Sequence, residues 1–506
     1  ADAGSQLVSS SNVKEFGASG RRTDNATKAF SDAIRACSQQ GGGVVTVPPG
    51  DYTVGTVQLL DNITLHIEAG ATLFVSQDKA DFIPDSRSLI FANGAKNISI
   101  TGKGTIDGLA QYDYVDMRGL DTEISEEIEI ARAAGIEIKR YYRKSEAVNV
   151  FLFVLNDCDN ILISDVKLIN SPLWTVRLND CNRVHIRGVY LYSDLEKGVN
   201  ADGIDICSSS NVTISDSIIV TADDAIVLKT IARNGKPANP INNVVVTNCT
   251  LSSSSTALMI GTETEADISH VLFSNCVIRN SNKGFGINVQ DGAVVSNVIF
   301  SNLTIETGRR HWNWWGSAEM CKFVLKKRNA NSKLGRIKDI FIDNVIANPM
   351  GTSTIKGHTD QPLENIRMTN VQLTMIPEDA KDKRATHALV IDGVTGLQIR
   401  SSSVGWKEDP VEQKWASALV LKNVKEVNID SFSARQGLKT GEAPVILLEN
   451  VSDGIIRNSA ATEGTKTFVY VGGSSTDIVL HNNQLRKAKI PIAYENDKLK
   501  KGVEVK

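Results

Sequence analysis

Three aspartates fall in this chain where scaffold residues would otherwise be expected. Asp202 stands in Asn200-Ala201-Asp202-Gly203, and Asp223-Asp224 begin 21 residues later. Between them, Asn211 to Val220 alternates apolar and polar residues in the manner of a half-buried strand, which tolerates few acids. If the fold brings the three carboxyls together, they resist ionising all at once, and at least one is expected to keep its proton. A proton donor is then distinguished from a base, which is the requirement for breaking a glycosidic bond. Asp-Gly and Asp-Asp also make ordinary turns, so the chemistry depends on whether the chain stacks these positions.

A recurring pattern says that it does. A turn residue, most often Asn, is followed by alternating apolar residues at Asn62, Asn97, Asn160, Asn182, Asn211, Asn243, Asn297 and Asn365. Weaker copies continue at Val427, Gly454 and Asp477. The intervals from 160 to 182, 211 and 243 are 22, 29 and 32 residues, in the range of solenoid repeats. One coil of a right-handed parallel β-helix uses about that many residues, and neighbouring coils lie roughly 4.8 Å apart. Asp202 should therefore meet Asp223 or Asp224 on one face of adjacent coils. A set of β-sandwiches would also give frequent turns, but its strands need not repeat one another in phase. The asparagines read as left-handed turn residues rather than glycosylation sites.

The remaining elements fit one all-β solenoid over residues 1–506 with a capped start. Asp24 or Asn25 is placed to cap a helix whose Phe30, Ala33, Ile34 and Cys37 form one apolar stripe. Gly41-Gly42-Gly43 ends it, and Val44 to Val47 reads as the first strand, so residues 12–50 form a cap and entry. Residues 109–147 break the rhythm as a helical insertion, with Ile124, Ile128 and Ala131 on one face and a basic, aromatic stretch Lys139 to Lys144 that reads as a solvated tail. Residues 376–506 read as further coils. The 506 residues are 41% hydrophobic with a formal charge of −3, which favours neither nucleic acid nor a membrane surface. Seven cysteines without a CxxC pair suggest buried thiols. The opening ADAGSQ suits a secreted or periplasmic protein after signal removal, and the expected state is a monomer.

At the aspartates the sequence resembles family 28 glycoside hydrolases, the polygalacturonase and rhamnogalacturonase group. Asn200-Ala-Asp202-Gly203 resembles that family's Asn-Thr-Asp-Gly, and Asp223-Asp224-Ala-Ile-Val-Leu-Lys229 its Asp-Asp-x-Ile-x-x-Lys. The match extends through Asn170 to Trp174, Ile260 to Glu263, Gly104 to Gly108 and Phe16 to Gly50. The resemblance implies a right-handed parallel β-helix and hydrolysis with inversion, without metal or cofactor. It makes Asp223 the general acid, gives Asp202 and Asp224 the water, and places Asn200, Lys229 and Glu263 at the substrate.

Two departures bear on the substrate. Ser255-Thr256-Ala257 stands where polygalacturonases have Gly-His-Gly, and Asn288-Val-Gln290 where they have Arg-Ile-Lys to hold a uronate. A carboxylate loses charge-assisted partners in that exchange. A neutral or differently decorated sugar, or a uronate held by other cations, is the expectation. Arg309 and Arg310, His311, Trp314 and Trp315, with Glu319 close by, are candidates for such contacts, because indole rings stack on sugar faces and guanidinium groups grip carboxylates. A lyase or epimerase needing a base beside the uronate, and a non-catalytic carbohydrate-binding solenoid, are the other functions compatible with the pattern.

Overall fold

The computed structural model describes residues 10–116, 124–310 and 314–506. The chain groups into two compact units: residues 1–121, 139–228 and 239–250 in the first, and 122–138, 229–238 and 251–506 in the second. Each is built of parallel strands stacked coil upon coil, the parallel β-helix architecture expected from the repeats.

In the first unit the coils form three parallel sheets. One runs from Ser10–Asn12 through Gly43–Val47, Ile63–Ile67, Lys96–Thr101, Asp159–Ser164, Asn182–Arg187 and Ser210–Ser215 to Ile241–Thr247. A second contains Gly50–Val54, Ala71–Val75, Thr105–Asp107, Lys167–Ile169, Tyr190–Tyr192 and Ile218–Thr221. The third, which carries the aspartates, stacks Val57–Gln58, Ser88–Asn93, Phe151–Asn156, Val176–Asn179 and Ile204–Cys207. Alternation in sequence becomes alternation in space. Ile98, Ile161, Val184, Val212 and Val244 align in register and are buried in one column. Each such side chain contributes about 1.5–3 kcal/mol on burial.

The helix α1 (Thr27–Gln39) buries Phe30, Ala33, Ile34 and Cys37 against the first coil, and Phe30 meets Tyr52 edge to face at 5.6 Å. Its first free N–H groups are met in part by Asn25, whose Oδ1 accepts from the Thr27 amide at 2.9 Å. Asp24 instead pairs with Arg21. Ser10–Asn12 precedes the strand expected to be first, a three-residue segment too short to show alternation.

The second unit repeats the scheme with long strands, such as Val294–Thr307, Arg336–Asn348, Leu363–Met375 and Leu389–Trp406, and continues to Val503–Val505. The turn asparagines are left-handed as expected, with φ between 51° and 61° at Asn62, Asn97, Asn160, Asn211, Asn243, Asn297 and Asn365. At the Asn182 copy the left-handed residue is Arg183. The side-chain amides also bond from coil to coil, as in Asn344 to Asn302 at 2.8 Å and Asn370 to Asn344 at 2.9 Å. All seven cysteines are buried, and none of them forms a disulfide. Among the described residues no helix is long and apolar enough to cross a membrane.

The insertion divides between the units. Tyr114–Asp116 and Tyr141–Arg143 pair antiparallel in the first, so the basic, aromatic stretch is an ordered ribbon in place of a solvated tail; Arg140 is buried. The helix α2 (Ser125–Ala133) belongs to the second unit, with Ile124 and Ala131 buried and Ile128 half-buried. Residues 121–123 of the expected helix lie outside the described residues.

Candidate active site

Asp202 and Asp223-Asp224 occupy the turns that lead into Ile204–Cys207 and Ile226–Thr230. Backbone bonds stack these turns: Thr175 donates its amide to the Asp202 carbonyl, and Gly203 donates to the Asp224 carbonyl, both at 2.9 Å. A side chain at position 203 would put its Cβ 2.2 Å from the Ala225 carbonyl oxygen, so the Gly after Asp202 is required by the close approach of the next coil. Buried Ser193 links the two turns, donating to the Ala201 carbonyl at 3.2 Å and accepting the Ala222 amide at 3.3 Å.

One oxygen from each of Asp202, Asp223 and Asp224 lies within 4.8 Å of the others. All three residues are at most 8% exposed. The Asp224 amide donates to Asp223 Oδ1 at 2.8 Å and fixes the orientation of that carboxyl. Such a trio could divide the roles of acid and base on a bound sugar, or hold a hard cation through its oxygens.

The other expected residues divide by unit. Asn200, in the first, is half-buried and lines a cavity of about 190 Å³ with Arg87, Tyr114 and Tyr141. Position 87 shows no motif and 114 sits in the insertion, while Tyr141 falls in the stretch that the sequence suggests is a solvated tail.

In the second unit, Lys229 is buried and donates to Glu263 at 2.5 Å and to the Gly261 carbonyl at 3.2 Å. Partial burial opposes the charge on Glu263, yet the Lys229 ammonium beside it holds its pKa down at about 2. Thr256 is buried at the start of Thr256–Thr264. Asn288 and Gln290 bond to each other at 3.0 Å. His311, with Trp312 and Asn313, lies outside the described residues.

Arg309 is not a surface cation. It is buried against Glu378 at 2.9 Å and Asp382 at 2.6 Å, and Arg384 joins Asp382 to Glu127 of α2. Those partners lie too far along the chain for spacing to reveal. Arg310 is half-buried, which lowers its pKa. Trp314 and Trp315 have ring centroids 5.6 Å apart, with Trp315 41% exposed, and Lys283 donates to the Trp315 carbonyl. Glu319 is buried and accepts the Ser317 amide, which closes the loop on itself.

The family model described as Glycosyl hydrolases family 28 matches residues 37–391. A probable polygalacturonase of Vitis vinifera is 28% identical over 241 residues, 44% of this chain and 44% of its own length. An exo-poly-alpha-D-galacturonosidase of Dickeya chrysanthemi is 26% identical over 297 residues, 51% of this chain and 48% of its own. The chain thus spans less than half the length of these relatives. Among solved structures, a hyperthermoactive exopolygalacturonase from Thermotoga maritima superposes with a TM-score of 0.63 at 21% identity, covering 78% of this chain and 92% of that one. A Yersinia enterocolitica family 28 exopolygalacturonase gives 0.62 at 20%, covering 84% and 78%. The two structural likenesses bear on the fold alone.

Proposed function

Because the chain belongs to the glycosyl hydrolases family 28, we propose that it hydrolyses glycosidic bonds in a galacturonate-containing, pectin-type chain, working from a chain end. The observation that carries this reading is the meeting of three nearly buried aspartates, from the turns of adjacent coils, within 4.8 Å. Three negative charges at that range are mutually unfavourable, so one carboxyl keeps its proton. Asp223, held by the Asp224 amide, protonates the leaving sugar oxygen. Asp202 and Asp224, one coil apart, take a proton from the attacking water. The names of the relatives in Vitis and Dickeya support galacturonate as the sugar, and the latter name supports exo action. A polymer of this kind is met outside cells, which supports export.

A second stereochemical reading has its own observation. Inverting carboxyl pairs usually stand about 6.5–9.5 Å apart and retaining pairs about 5–5.5 Å, and one oxygen of each acid here lies within 4.8 Å of the others, a spacing shorter than the inverting range. The family resemblance favours inversion. The deciding experiment follows the first product from an α-linked galacturonate oligomer by NMR. A β-anomer appearing first supports inversion, and an α-anomer establishes retention. Asp223→Asn should lower the rate by about 10²–10⁴-fold. An unsaturated product, no product, or an unchanged rate in Asp223→Asn would overturn the reading.

A further inference from the structure

Below Asp202, the sheet of the first unit carries a column that the three acids do not explain. Its register aligns Ser88 with Phe151, Phe153 with Val176 and Val176 with Ile204. Carried back two residues, that register puts Phe151, Trp174 and Asp202 in successive coils, each roughly 4.8 Å from the next. Phe151 and Trp174 meet edge to face at 5.9 Å, and the Arg177 guanidinium lies 4.8 Å from the Trp174 ring. Arg87 stands just before Ser88, at the foot of this column, and its guanidinium lies 5.9 Å from the Phe151 ring.

The cavity at Asn200 opens beside this column and takes its outer wall from the ribbon of the insertion. Arg143 also lines the cavity, but its guanidinium is engaged within the wall. It donates to the Ala110 and Val148 carbonyls at 2.6 and 3.0 Å and to Asn149 at 3.1 Å. Arg87 is exposed, and among the described residues its guanidinium makes no ion pair. Lys197 adds a second cation, 5.5 Å from the Tyr141 ring. Of the nearby acids, Asp113 stands 3.8 Å from Arg143, and Asp194 accepts the amides of Glu196 and Lys197. The cavity is therefore aromatic-walled with an available cation at its rim.

We propose that this cavity receives one terminal sugar bearing a carboxylate, with Arg87 gripping the carboxylate and Tyr141 offering a ring face. The proposal rests on the glycosidase reading and adds to it the charge of the end sugar and the place where it sits. Three observations converge. The volume of about 190 Å³ is below the roughly 300 Å³ at which pockets for larger ligands begin, so it suits one ring and not a run of them. Asn200 lines the cavity two residues before Asp202, so a sugar seated there presents its linkage towards the acids. Guanidinium and aromatic groups together match a uronate, whose ring has apolar C–H faces and one charged edge. They also provide cations in a chain that has Asn288 and Gln290, bonded to each other, in place of the Arg and Lys of the polygalacturonase motif.

The test compares three galacturonate trimers with the wild-type protein: unesterified, methyl-esterified only at the non-reducing residue, and only at the reducing residue. Esterifying one particular end should raise KM about ten- to a hundredfold, the loss of a charge-assisted contact, with kcat little changed. Arg87→Gln should raise KM equally for the unesterified trimer and add nothing for the sensitive ester, and Arg87→Lys should recover part of the loss. If the wild type cleaves all three trimers with one KM, or Arg87→Gln cleaves the unesterified trimer as the wild type does, the cavity assignment is wrong and the hydrolase reading stands. If the wild type cleaves none, the hydrolase reading fails, and calorimetry with free galacturonate and galactose decides the cavity. Binding of galacturonate alone, lost in Arg87→Gln, supports it; no binding, or equal binding by both proteins, overturns it.

Discussion

Lys229 and Glu263 show what a single pair does to the acid stability of this protein. The folded carboxyl of Glu263 takes up its proton only near pH 2, whereas in an unfolded chain it does so near 4.3. Between those values the unfolded state binds more protons, so stability present above about pH 4.3 is lost as the pH falls towards 2. Glu263 is partly exposed, and after discounting for solvent the contribution is about 1–2 kcal/mol. Thermal melts across pH 2–7 should show that slope in the wild type, and Glu263→Gln should flatten it while lowering Tm at pH 7. A slope unchanged by the substitution would show that other carboxyls govern it. At this scale the three aspartates were legible because their spacing matches one coil. The cavity was not, since Arg87 and Tyr141 meet only after the chain has closed several coils and folded its insertion back.

The asparagine ladder is the element that sets the coil. Asn344 has φ 54° and bonds to Asn302 on one side and Asn370 on the other. A left-handed conformation costs an L-residue roughly 1–2 kcal/mol unless its side chain compensates, and each exposed amide bond adds about 0.5–1 kcal/mol. Asn344→Ala should therefore cost about 2–3 kcal/mol in denaturant unfolding, and Asn344→Gly less, because glycine accepts that φ freely. Equal losses would mean that the ladder bonds, not the turn, carry the energy. The repeat was readable because turn and strand share one phase. Arg183 in place of Asn182 was not, because a one-residue shift inside a turn leaves the apolar alternation intact. The order of the Lys139 to Lys144 stretch is hidden from the sequence for a related reason: its partners lie in Tyr114–Asp116, across residues with no repeat to follow.

At the scale of the whole molecule, the repeated coils and the helix preceding them were legible from periodicity, and the order of motifs pointed to the family whose model covers residues 37–391. The ion pairs of Arg309 with Glu378 and Asp382 had no such signal, since sequence distance says nothing about which loops meet. The helix α1 has a further consequence. A stack of parallel strands ends in a row of backbone donors and acceptors that would accept another strand as readily as its own. With residues 1–42 removed, the edge of Gly43–Val47 loses both Ser10–Asn12 and the buried face of α1. The shortened chain should form concentration-dependent, end-to-end species in sedimentation velocity, while the full chain keeps one sedimentation coefficient. A shortened chain that sediments as a single small species would show that the edge needs no guard. Ser10–Asn12 and α1 then act together as a polymerisation stop: in a protein built by repetition, they occupy the edge of Gly43–Val47 and keep the fold from becoming a filament.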